Sequence, residues 1–216
     1  MRTLYNYFRS SAAYRVRIAL QLKNLSYEVI PVSLLAKEHL AADYLAQNPH
    51  GLVPALVEND VTLTQSLAIC EYLDEIHPEP ALLPTDPIGR AIVRGLALSV
   101  ACEIHPLINV RVLHYLEYNI RTSAAQKTAW YQHWVHTGFT ALEKQLQSCH
   151  GDFCYGNSVT LADLCLIPQV YNARKFECDL SNYPTIVAIE KNCMQFNAFS
   201  NTSPEPIPGL PYHVQD

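Results

Sequence analysis

Two kinds of hydrophobic pattern alternate along the first third of the chain. Residues 3–8 form an apolar, aromatic run typical of a buried strand, and in the stretch that follows Val16, Ala19 and Leu20 share one helical face. The whole pattern predicts strands at 3–8, 27–32, 54–58 and 61–64, helices at 12–22 and about 38–45, and a third helix that carries Leu67, Ile69 and Leu73 and ends near His77. The last two strands form a hairpin that turns at Asn59-Asp60. This order, βαβ followed by ββα, predicts one small mixed sheet with helices packed on it.

A proline-rich stretch at 79–87 is expected to act as a stiff linker to a largely helical remainder. From Ile88 onward, amphipathic patterns predict helices at about 88–120, 124–148, 160–175 and 184–199, followed by a proline-rich tail from Ser203. Thr160 and Asp163 form a capping box, which marks the start of one of these helices. The sequence therefore predicts an α/β domain at 1–78, the linker at 79–87 and an all-α domain at 88–216.

Composition narrows the function classes. The chain has 216 residues, 49% of them hydrophobic and 16% charged, which is typical of a globular protein. A formal net charge of −5, without a stretch dense in Lys and Arg, argues against a nucleic-acid-binding surface. The N-terminus does not resemble a signal peptide, and no apolar run is expected to be long enough to cross a bilayer. We therefore expect a soluble, cytoplasmic protein without a nucleic-acid or membrane partner.

The cysteines and histidines do not predict a metal site. The seven cysteines are an odd number, and none of them shows the close CxxC spacing of zinc or redox sites. Cys70, Cys102 and Cys165 lie in apolar helical patterns, where a thiol usually behaves as a small core residue. The nine histidines do not cluster at metal-ligand spacing either, so we expect reduced cysteines and no bound metal.

The first strand-to-helix turn is the strongest candidate for chemistry. Ser10 or Ser11 comes just before a helix N-terminus, where unpaired N–H groups and the helix dipole favour anions. A hydroxyl at this position could donate a hydrogen bond to a thiolate or an oxyanion, and Arg9 and Arg15 add positive charge nearby. The alternative is that the serine only caps the helix, as serine often does.

Two segments of the first part resemble the soluble glutathione transferases. Residues 48–56, Asn-Pro-His-Gly-Leu-Val-Pro-Ala-Leu, resemble the family segment in which the proline is cis and the residue before it pairs with glutathione through its backbone. Residues 65–73, Gln-Ser-Leu-Ala-Ile-Cys-Glu-Tyr-Leu, resemble the segment whose serine holds the γ-glutamyl carboxylate. The resemblance implies a thioredoxin-like N-terminal domain, a helical C-terminal domain, glutathione as cofactor and a homodimer.

Three further segments resemble the zeta class of this family. They are residues 10–20, 163–173 and 179–186, which begin Ser-Ser-Ala-Ala-Tyr-Arg-Val-Arg, Asp-Leu-Cys-Leu-Ile-Pro-Gln-Val and Asp-Leu-Ser-Asn-Tyr-Pro. The class includes maleylacetoacetate isomerases of tyrosine degradation, and bacterial maleylpyruvate isomerases share most of these motifs. The resemblance therefore implies glutathione-dependent cis–trans isomerisation of a keto acid, with maleylacetoacetate as the first choice of substrate and maleylpyruvate as the second. A general transferase or dehalogenase, and a non-catalytic binding module, are the alternatives.

The resemblance also implies roles for individual residues. Ser10 is expected to stabilise the thiolate of glutathione, with Arg9 as the second catalytic residue and Ser11 as the helix cap. The expected cofactor-binding residues are Ser10, Ser11, Arg15, His39, Val53, Gln65, Ser66, His105 and Asn109. The expected binders of substrate carboxylates are Arg9, Arg111, Arg174 and Lys175. Helical spacing further predicts that His105, Asn109 and Arg111 face one way.

The chain departs from the family and zeta-class patterns at four positions. Ala12 and Tyr14 replace the cysteine and tryptophan of the signature, and Gly51 replaces a side chain that often helps to bind glutathione. Lys175 stands where the family has an arginine, with Arg174 one residue earlier. Lysine keeps the charge but loses the planar two-point grip on a carboxylate. A mechanism that needs a protein cysteine at position 12 is not available to this chain.

Overall fold

A computed structural model describes residues 1–149 and 151–204 of the chain. By their contacts these residues divide into two units, residues 1–82 together with 195–204 and residues 83–194. The division predicted from the sequence, 1–78, 79–87 and 88–216, did not include a return of residues 195–204 to the first unit. That division stays a prediction. The proline-rich tail predicted from Ser203 lies almost wholly outside the described residues.

The first unit is built on a four-stranded sheet with the strand order β2-β1-β3-β4. Its strands and helices are β1 (Arg2–Asn6), α1 (Ser11–Leu22), β2 (Glu28–Pro31), a 3-10 turn (Glu38–Leu40), α2 (Ala42–Gln47), β3 (Ala55–Glu58), β4 (Val61–Thr64), α3 (Ser66–Ile76) and, after the second unit, α10 (Asn197–Ser200). Strand β1 pairs parallel with β2 and antiparallel with β3, and β3 pairs antiparallel with β4. The predicted βαβ–ββα order of the thioredoxin-like fold is confirmed.

The β3–β4 hairpin turns where the sequence predicts it. Asn59 and Asp60 both have positive φ angles, 50° and 64°. Two central residues with positive φ give the tight hairpin turn whose twist matches that of its strands, and Asn and Asp tolerate this conformation best after Gly.

Helix α1 is buried along almost its whole length, packed beside α3 and α10. Its apolar residues Val16, Ile18 and Leu20 are fully enclosed, together with Leu4 of the sheet. It also carries two arginines, Arg15 and Arg17, into this core, and Lys23 caps its C-terminus. Because burying a cation is costly unless it is paired, the partners of these three side chains shape the first unit.

Lys23 shows how completely such a cation can be satisfied. Its ammonium donates to Asp74 Oδ1 at 2.6 Å and to the carbonyl oxygens of His77 and Pro80 at 2.6 and 2.7 Å. Asp74 Oδ1 also accepts from the backbone N–H of Leu82 at 2.8 Å. Each of the three ammonium protons therefore has an acceptor. These hydrogen bonds hold the chain that leaves α3 against the end of α1.

The second unit is helical, as predicted. Its α-helices are α4 (Pro87–Leu98), α5 (His105–Ile108), α6 (Val110–Tyr115), α7 (Ala124–Leu146), α8 (Leu161–Lys175) and α9 (Pro184–Cys193), and π-helical turns lie at Ser99–Ile104 and Leu116–Ile120. The stretches predicted as single helices at 88–120 and 184–199 are both interrupted. Extended backbone at Asn109 separates α5 from α6, and extended backbone at Phe196 separates α9 from α10.

The helical run from Pro87 to Ile120 corrects the expectation that no apolar stretch is long enough to cross a bilayer. It spans 34 residues, and its most apolar 18-residue window has a mean hydropathy of 1.5, so by length and composition alone it could cross a membrane. The core helix of a soluble protein passes the same test. Val93, Ala97 and Ile104 of this run are buried, and the break at Asn109 falls inside it. The run therefore forms part of the core of the second unit.

The predicted capping box at the start of α8 is present around a fully buried carboxylate. Asp163 Oδ2 accepts from the backbone N–H of Thr160 at 2.8 Å and from its hydroxyl at 2.9 Å, while Oδ1 accepts from the N–H of Cys154 at 2.8 Å. Burial raises the pKa of Asp163, and these donors oppose that rise because they favour the ionised form. The contact ties the loop before α8 to its first turn.

A second buried carboxylate caps helix α9 from outside that helix. Glu143 of α7 accepts from the backbone N–H groups of Thr185 and Ile186 at 2.8 and 3.0 Å. These N–H groups belong to the first turn of α9, where no intrahelical acceptor exists and where negative charge is favoured. One side chain thereby fixes two helices against each other.

We expect Glu143→Ala to lower the free energy of unfolding by about 2–3 kcal/mol, because two N–H groups would lose a charged acceptor. Glu143→Gln, which keeps an acceptor oxygen, should lose less. Urea unfolding followed by circular dichroism measures both, with Lys144→Ala at the exposed neighbouring position as the control. An unfolding free energy in Glu143→Ala equal to that of Lys144→Ala would contradict this role.

Candidate active site

Three chain segments come together at one end of the sheet because of its register. Tyr5 of β1 pairs with Ala55 of β3, and Ala55 pairs with Thr64 of β4. The turn after β1 leaves this end of the sheet, the Val53-Pro54 peptide enters it, and Gln65-Ser66 follows it. All three segments that the sequence singles out therefore lie at the same edge of the first unit.

The β1–α1 turn presents Ser10 at the start of α1. The N–H of Ser10 donates to the carbonyl oxygen of Tyr7 at 2.9 Å, which closes the turn. Ser10 is the N-cap, with extended backbone, and its Oγ accepts from the N–H of Ala13 at 3.1 Å. Ser11 is the first helical residue and is 4% exposed, so the prediction that Ser11 is the cap is wrong. The helix begins one residue earlier than the sequence pattern indicated.

Capping leaves the Ser10 hydroxyl free to act as a donor. A serine hydroxyl has one proton and two lone pairs, and the Ala13 N–H uses one lone pair. The side chain is half-buried at the positive end of a helix of 12 residues, beside the exposed Arg9. Burial raises the pKa of Tyr7, and the charge of Arg9 opposes that rise.

Arg17 supports the turn from the core side, and the sequence analysis did not assign it a role. Its guanidinium donates to Asn6 Oδ1 at 2.6 Å, to the carbonyl oxygen of Phe8 at 3.0 Å and to that of Thr202 at 3.0 Å. Asn6 and Phe8 lie on either side of the end of β1, just before Ser10. The only sequence signal for this role was a cation in an otherwise apolar helical pattern.

The loop before β3 is fixed by its own side chains. Asn48 is 2% exposed, donates through Nδ2 to the carbonyl oxygen of Leu52 at 2.7 Å and accepts through Oδ1 from the N–H of His50 at 3.2 Å. The Tyr44 hydroxyl donates to the same Leu52 oxygen at 2.5 Å. Gly51 has a φ of +59°, and a Cβ there would lie 3.0 Å from the carbonyl oxygen of His39. Glycine therefore suits this backbone better than a residue with a side chain does.

This loop ends at Val53, which lies at the edge of the sheet just before β3. The Val53-Pro54 peptide is cis, as the resemblance implied, and β3 pairing begins at Ala55. The Val53 side chain packs with Val32 and Tyr44, which leaves its backbone as the part that a ligand can use. His39 lies on the 3-10 turn beside the same loop.

Gln65 and Ser66 form the start of α3. Gln65 has φ 68° and ψ 113°, a left-handed conformation that a side chain rarely adopts. Ser66 is 7% exposed, and its Oγ accepts from Nη1 of Arg15 at 3.2 Å. A helix of 11 residues begins here, so its free N–H groups, a serine hydroxyl and a cation behind that hydroxyl favour a carboxylate.

The predicted residues of the second unit do not share one helical face. His105 begins α5, Asn109 is the extended residue between helices, and Arg111 is an exposed residue of α6. The Asn109 Oδ1 accepts from the N–H of Val112 at 3.2 Å and so caps α6. The prediction that these three residues face one way assumed an unbroken helix, and the extended backbone at Asn109 removes that basis.

Arg174 and Lys175 at the end of α8 have different partners. Nε of Arg174 donates to Glu190 Oε1 at 3.0 Å, and Nη2 bonds the other carboxylate oxygen. These hydrogen bonds raise the pKa of Arg174. Lys175 instead places its ammonium 5.9 Å from the centre of the Tyr171 ring. The guanidinium fork of Arg174 therefore already holds a carboxylate of the protein.

Comparison with known proteins gives matches over both parts of the chain. The family models of the glutathione S-transferase N-terminal domain and C-terminal domain match residues 2–75 and 108–196. A probable maleylacetoacetate isomerase of Vibrio cholerae is 45% identical over 94% of this chain and 95% of its own length.

Two solved structures are similar over nearly the whole chain. A bacterial zeta-class maleyl pyruvate isomerase in its holo form is 44% identical, with a TM-score of 0.92 over 96% of this chain and 99% of that one. The maleylacetoacetate isomerase of Anaeromyxobacter dehalogenans, solved with glutathione in its active site, is 42% identical, with a TM-score of 0.86 over 98% of both chains.

The strained backbone of Gln65 leads to a stability prediction. We expect Gln65→Gly to raise the free energy of unfolding by about 1 kcal/mol, because glycine relieves a strain of about 1–3 kcal/mol and loses about 0.5–1 kcal/mol in chain entropy. Gln65→Ala removes the same side chain but keeps the strain, so it should give no gain. Urea unfolding of both variants is the measurement, and equal stabilities for Gly and Ala would show that this backbone is not strained.

Proposed function

The chain belongs to the glutathione S-transferase family, and we propose that it is a glutathione-dependent cis–trans isomerase that converts maleylacetoacetate to fumarylacetoacetate. The observation that carries the proposal is the register of the sheet, which brings the Ser10 turn, the cis Val53-Pro54 peptide and the start of α3 to one edge. Each of these segments offers the type of group that one part of glutathione needs: a hydroxyl for the thiolate, a backbone for the peptide and a carboxylate site for the γ-glutamyl end.

The residues of the first unit fit glutathione. Ser66, the N–H groups of α3 and the cation of Arg15 suit the γ-glutamyl carboxylate, with Gln65 beside them. Val53 offers its backbone, with His39 near the same loop. When bound, glutathione supplies a thiolate that adds to the conjugated double bond, allows rotation about the resulting single bond, and leaves again unchanged.

Ser10 can supply most of the stabilisation that the thiolate needs. A free thiol has a pKa of about 8.5, and lowering it by about two units takes roughly 2.7 kcal/mol of selective stabilisation of the anion. A hydrogen bond to a charged group contributes about 1.5–3 kcal/mol, and a helix N-terminus adds about 0.3–1 kcal/mol. The Ser10 hydroxyl at the start of α1 combines the two, so the reaction needs neither a histidine base nor the cysteine that Ala12 replaces.

Cationic side chains are proposed to hold the carboxylates and the enolate of the keto acid. Arg9 is exposed at the Ser10 turn, and Arg111 and Lys175 are the candidates from the second unit. Arg174 is the weaker candidate because Glu190 occupies its guanidinium. His105 and Asn109 remain proposed contacts of glutathione, although Asn109 also caps α6.

Two further proposals concern the oligomeric state and the cellular location of the protein. We propose a homodimer, which is supported by large apolar side chains of α4 that are exposed, at Ile88, Ile92 and Leu98. We propose a cytoplasmic location because all seven cysteines are free thiols, as is typical of a reducing compartment.

Maleylpyruvate is the second candidate substrate, because one of the most similar solved structures is a maleyl pyruvate isomerase. An absorbance assay on both keto acids, with and without glutathione, tests the function and ranks the two. We expect conversion to the fumaryl isomer only with glutathione, and no loss of free thiol. Failure to isomerise either compound, together with conjugation of a halogenated electrophile that consumes thiol, would show a general transferase instead.

Ser10 caps α1 as well as facing the proposed thiolate, so its two roles need separate variants. Ser10→Ala and Ser10→Gly should both lower kcat by about 100-fold, because both lose the hydroxyl. Ala should also cost about 1 kcal/mol of stability as a poor cap, whereas Gly should cost only a few tenths. The acid limb of the kcat/KM profile should move to higher pH in both variants. Turnover that falls only in Ser10→Ala, in step with stability, would leave the hydroxyl with a capping role alone.

A further inference from the structure

Arg15 is a buried cation whose hydrogen bonds are mostly unmade. It is 2% exposed, and Nη1 donates to Ser66 Oγ at 3.2 Å. Nε and Nη2 are also buried, and neither has a hydrogen-bond partner among residues 1–149 and 151–204. No ion pair with a carboxylate is found for Arg15 in the same part of the chain.

The other two buried cations of α1 are satisfied. Lys23 uses all three of its protons and pairs with Asp74. Arg17 uses Nε, Nη1 and Nη2 on three separate acceptors. Arg15 differs from both, although it lies on the same helix and is equally buried. An unpaired buried charge is unfavourable for folding, so a role in binding is the natural explanation for keeping it.

The position of Arg15 indicates which ligand it serves. Its one partner, Ser66, is the first residue of α3, where the N–H groups of the helix are free. Because the Arg15 N–H occupies only a lone pair of Ser66 Oγ, the hydroxyl proton of Ser66 stays available for a second acceptor. The guanidinium charge behind Ser66 also polarises that O–H bond and favours an anionic acceptor.

We infer that Arg15 is a positioning residue for the γ-glutamyl carboxylate: it orients the Ser66 hydroxyl toward that carboxylate and supplies a buried charge that is compensated only when the carboxylate binds. The inference rests on the proposed use of glutathione. Since Arg15 is buried, it acts through Ser66 and does not touch the ligand. It follows that the unliganded protein is less stable with Arg15 than it would be with an apolar side chain of similar length.

Arg15→Met should therefore change stability and affinity in opposite directions. We expect the melting temperature of the unliganded protein to stay equal or to rise, because the unpaired charge is gone. We expect the affinity for glutathione to fall by about 10–100-fold, the range of a hydrogen bond to a charged group. Arg15→Lys keeps a charge and a donor and should retain more of the affinity than Arg15→Met. Lys23→Met is the matched control: it removes a paired cation of the same helix and should lower the melting temperature clearly.

A glutathione analogue without the γ-glutamyl α-carboxylate, γ-aminobutyryl-cysteinylglycine, isolates the interaction. By titration calorimetry, the wild type should lose about 100-fold in affinity on this change, and Arg15→Met about 10-fold or less. If Arg15→Met weakens both ligands by the same factor, or lowers the melting temperature as Lys23→Met does, Arg15 is only a structural residue and the inference is wrong. These measurements need no keto acid, so an absence of isomerase activity would overturn the proposed function and leave this result intact.

Discussion

Helix α1 is buried on almost every side, and the cations it carries must find partners in whatever chain lies next to them. Each of the three cations fixes a different segment. Arg17 holds the end of β1 together with Thr202, Lys23 holds the chain that leaves α3, and Arg15 reaches the first residue of α3. The hydroxyl of Tyr14 adds a bond of 2.6 Å to the carbonyl oxygen of Phe199. This arrangement explains why residues 195–204 belong to the first unit: their carbonyl groups complete the hydrogen bonds of α1.

The sheet brings the turn before this helix next to two other segments at one edge. Strand β1 ends at the turn that Arg17 supports, and the pairing of Tyr5 with Ala55 and of Ala55 with Thr64 brings the two other segments beside it. The loop before β3 is held by Asn48 and has a positive φ at Gly51, while the start of α3 carries a strained Gln65. Strain of this kind persists only where the surroundings enforce it, and it is concentrated at functional sites. The edge is therefore held in place by contacts within the first unit.

The sequence was sufficient for features that depend on local patterns and insufficient for those that depend on distant partners. Periodicity predicted the strands, α1 and the helical second unit, and turn chemistry predicted Asn59-Asp60. The start of α1 was missed by one residue, because Ser10 and Ser11 are chemically equivalent as caps and only the backbone distinguishes them. The pairing of Arg174 with Glu190 joins positions 16 residues apart on different helices, and a pattern along one helix cannot show it. The break at Asn109 was missed for a different reason: its side chain caps the helix that follows, a local contact that hydrophobic periodicity does not show.

Ser10 and Ser66, the two hydroxyls proposed to meet glutathione, share one arrangement. Each accepts a hydrogen bond from the protein, Ser10 from the N–H of Ala13 and Ser66 from the guanidinium of Arg15. Because the protein donor occupies only a lone pair, the proton of each hydroxyl stays available for an acceptor on the ligand. Each also lies at the start of a helix, where a negative acceptor is preferred over a neutral one. The capping role of Ser10 and its proposed role toward a thiolate therefore do not compete, since the first uses a lone pair and the second uses the proton.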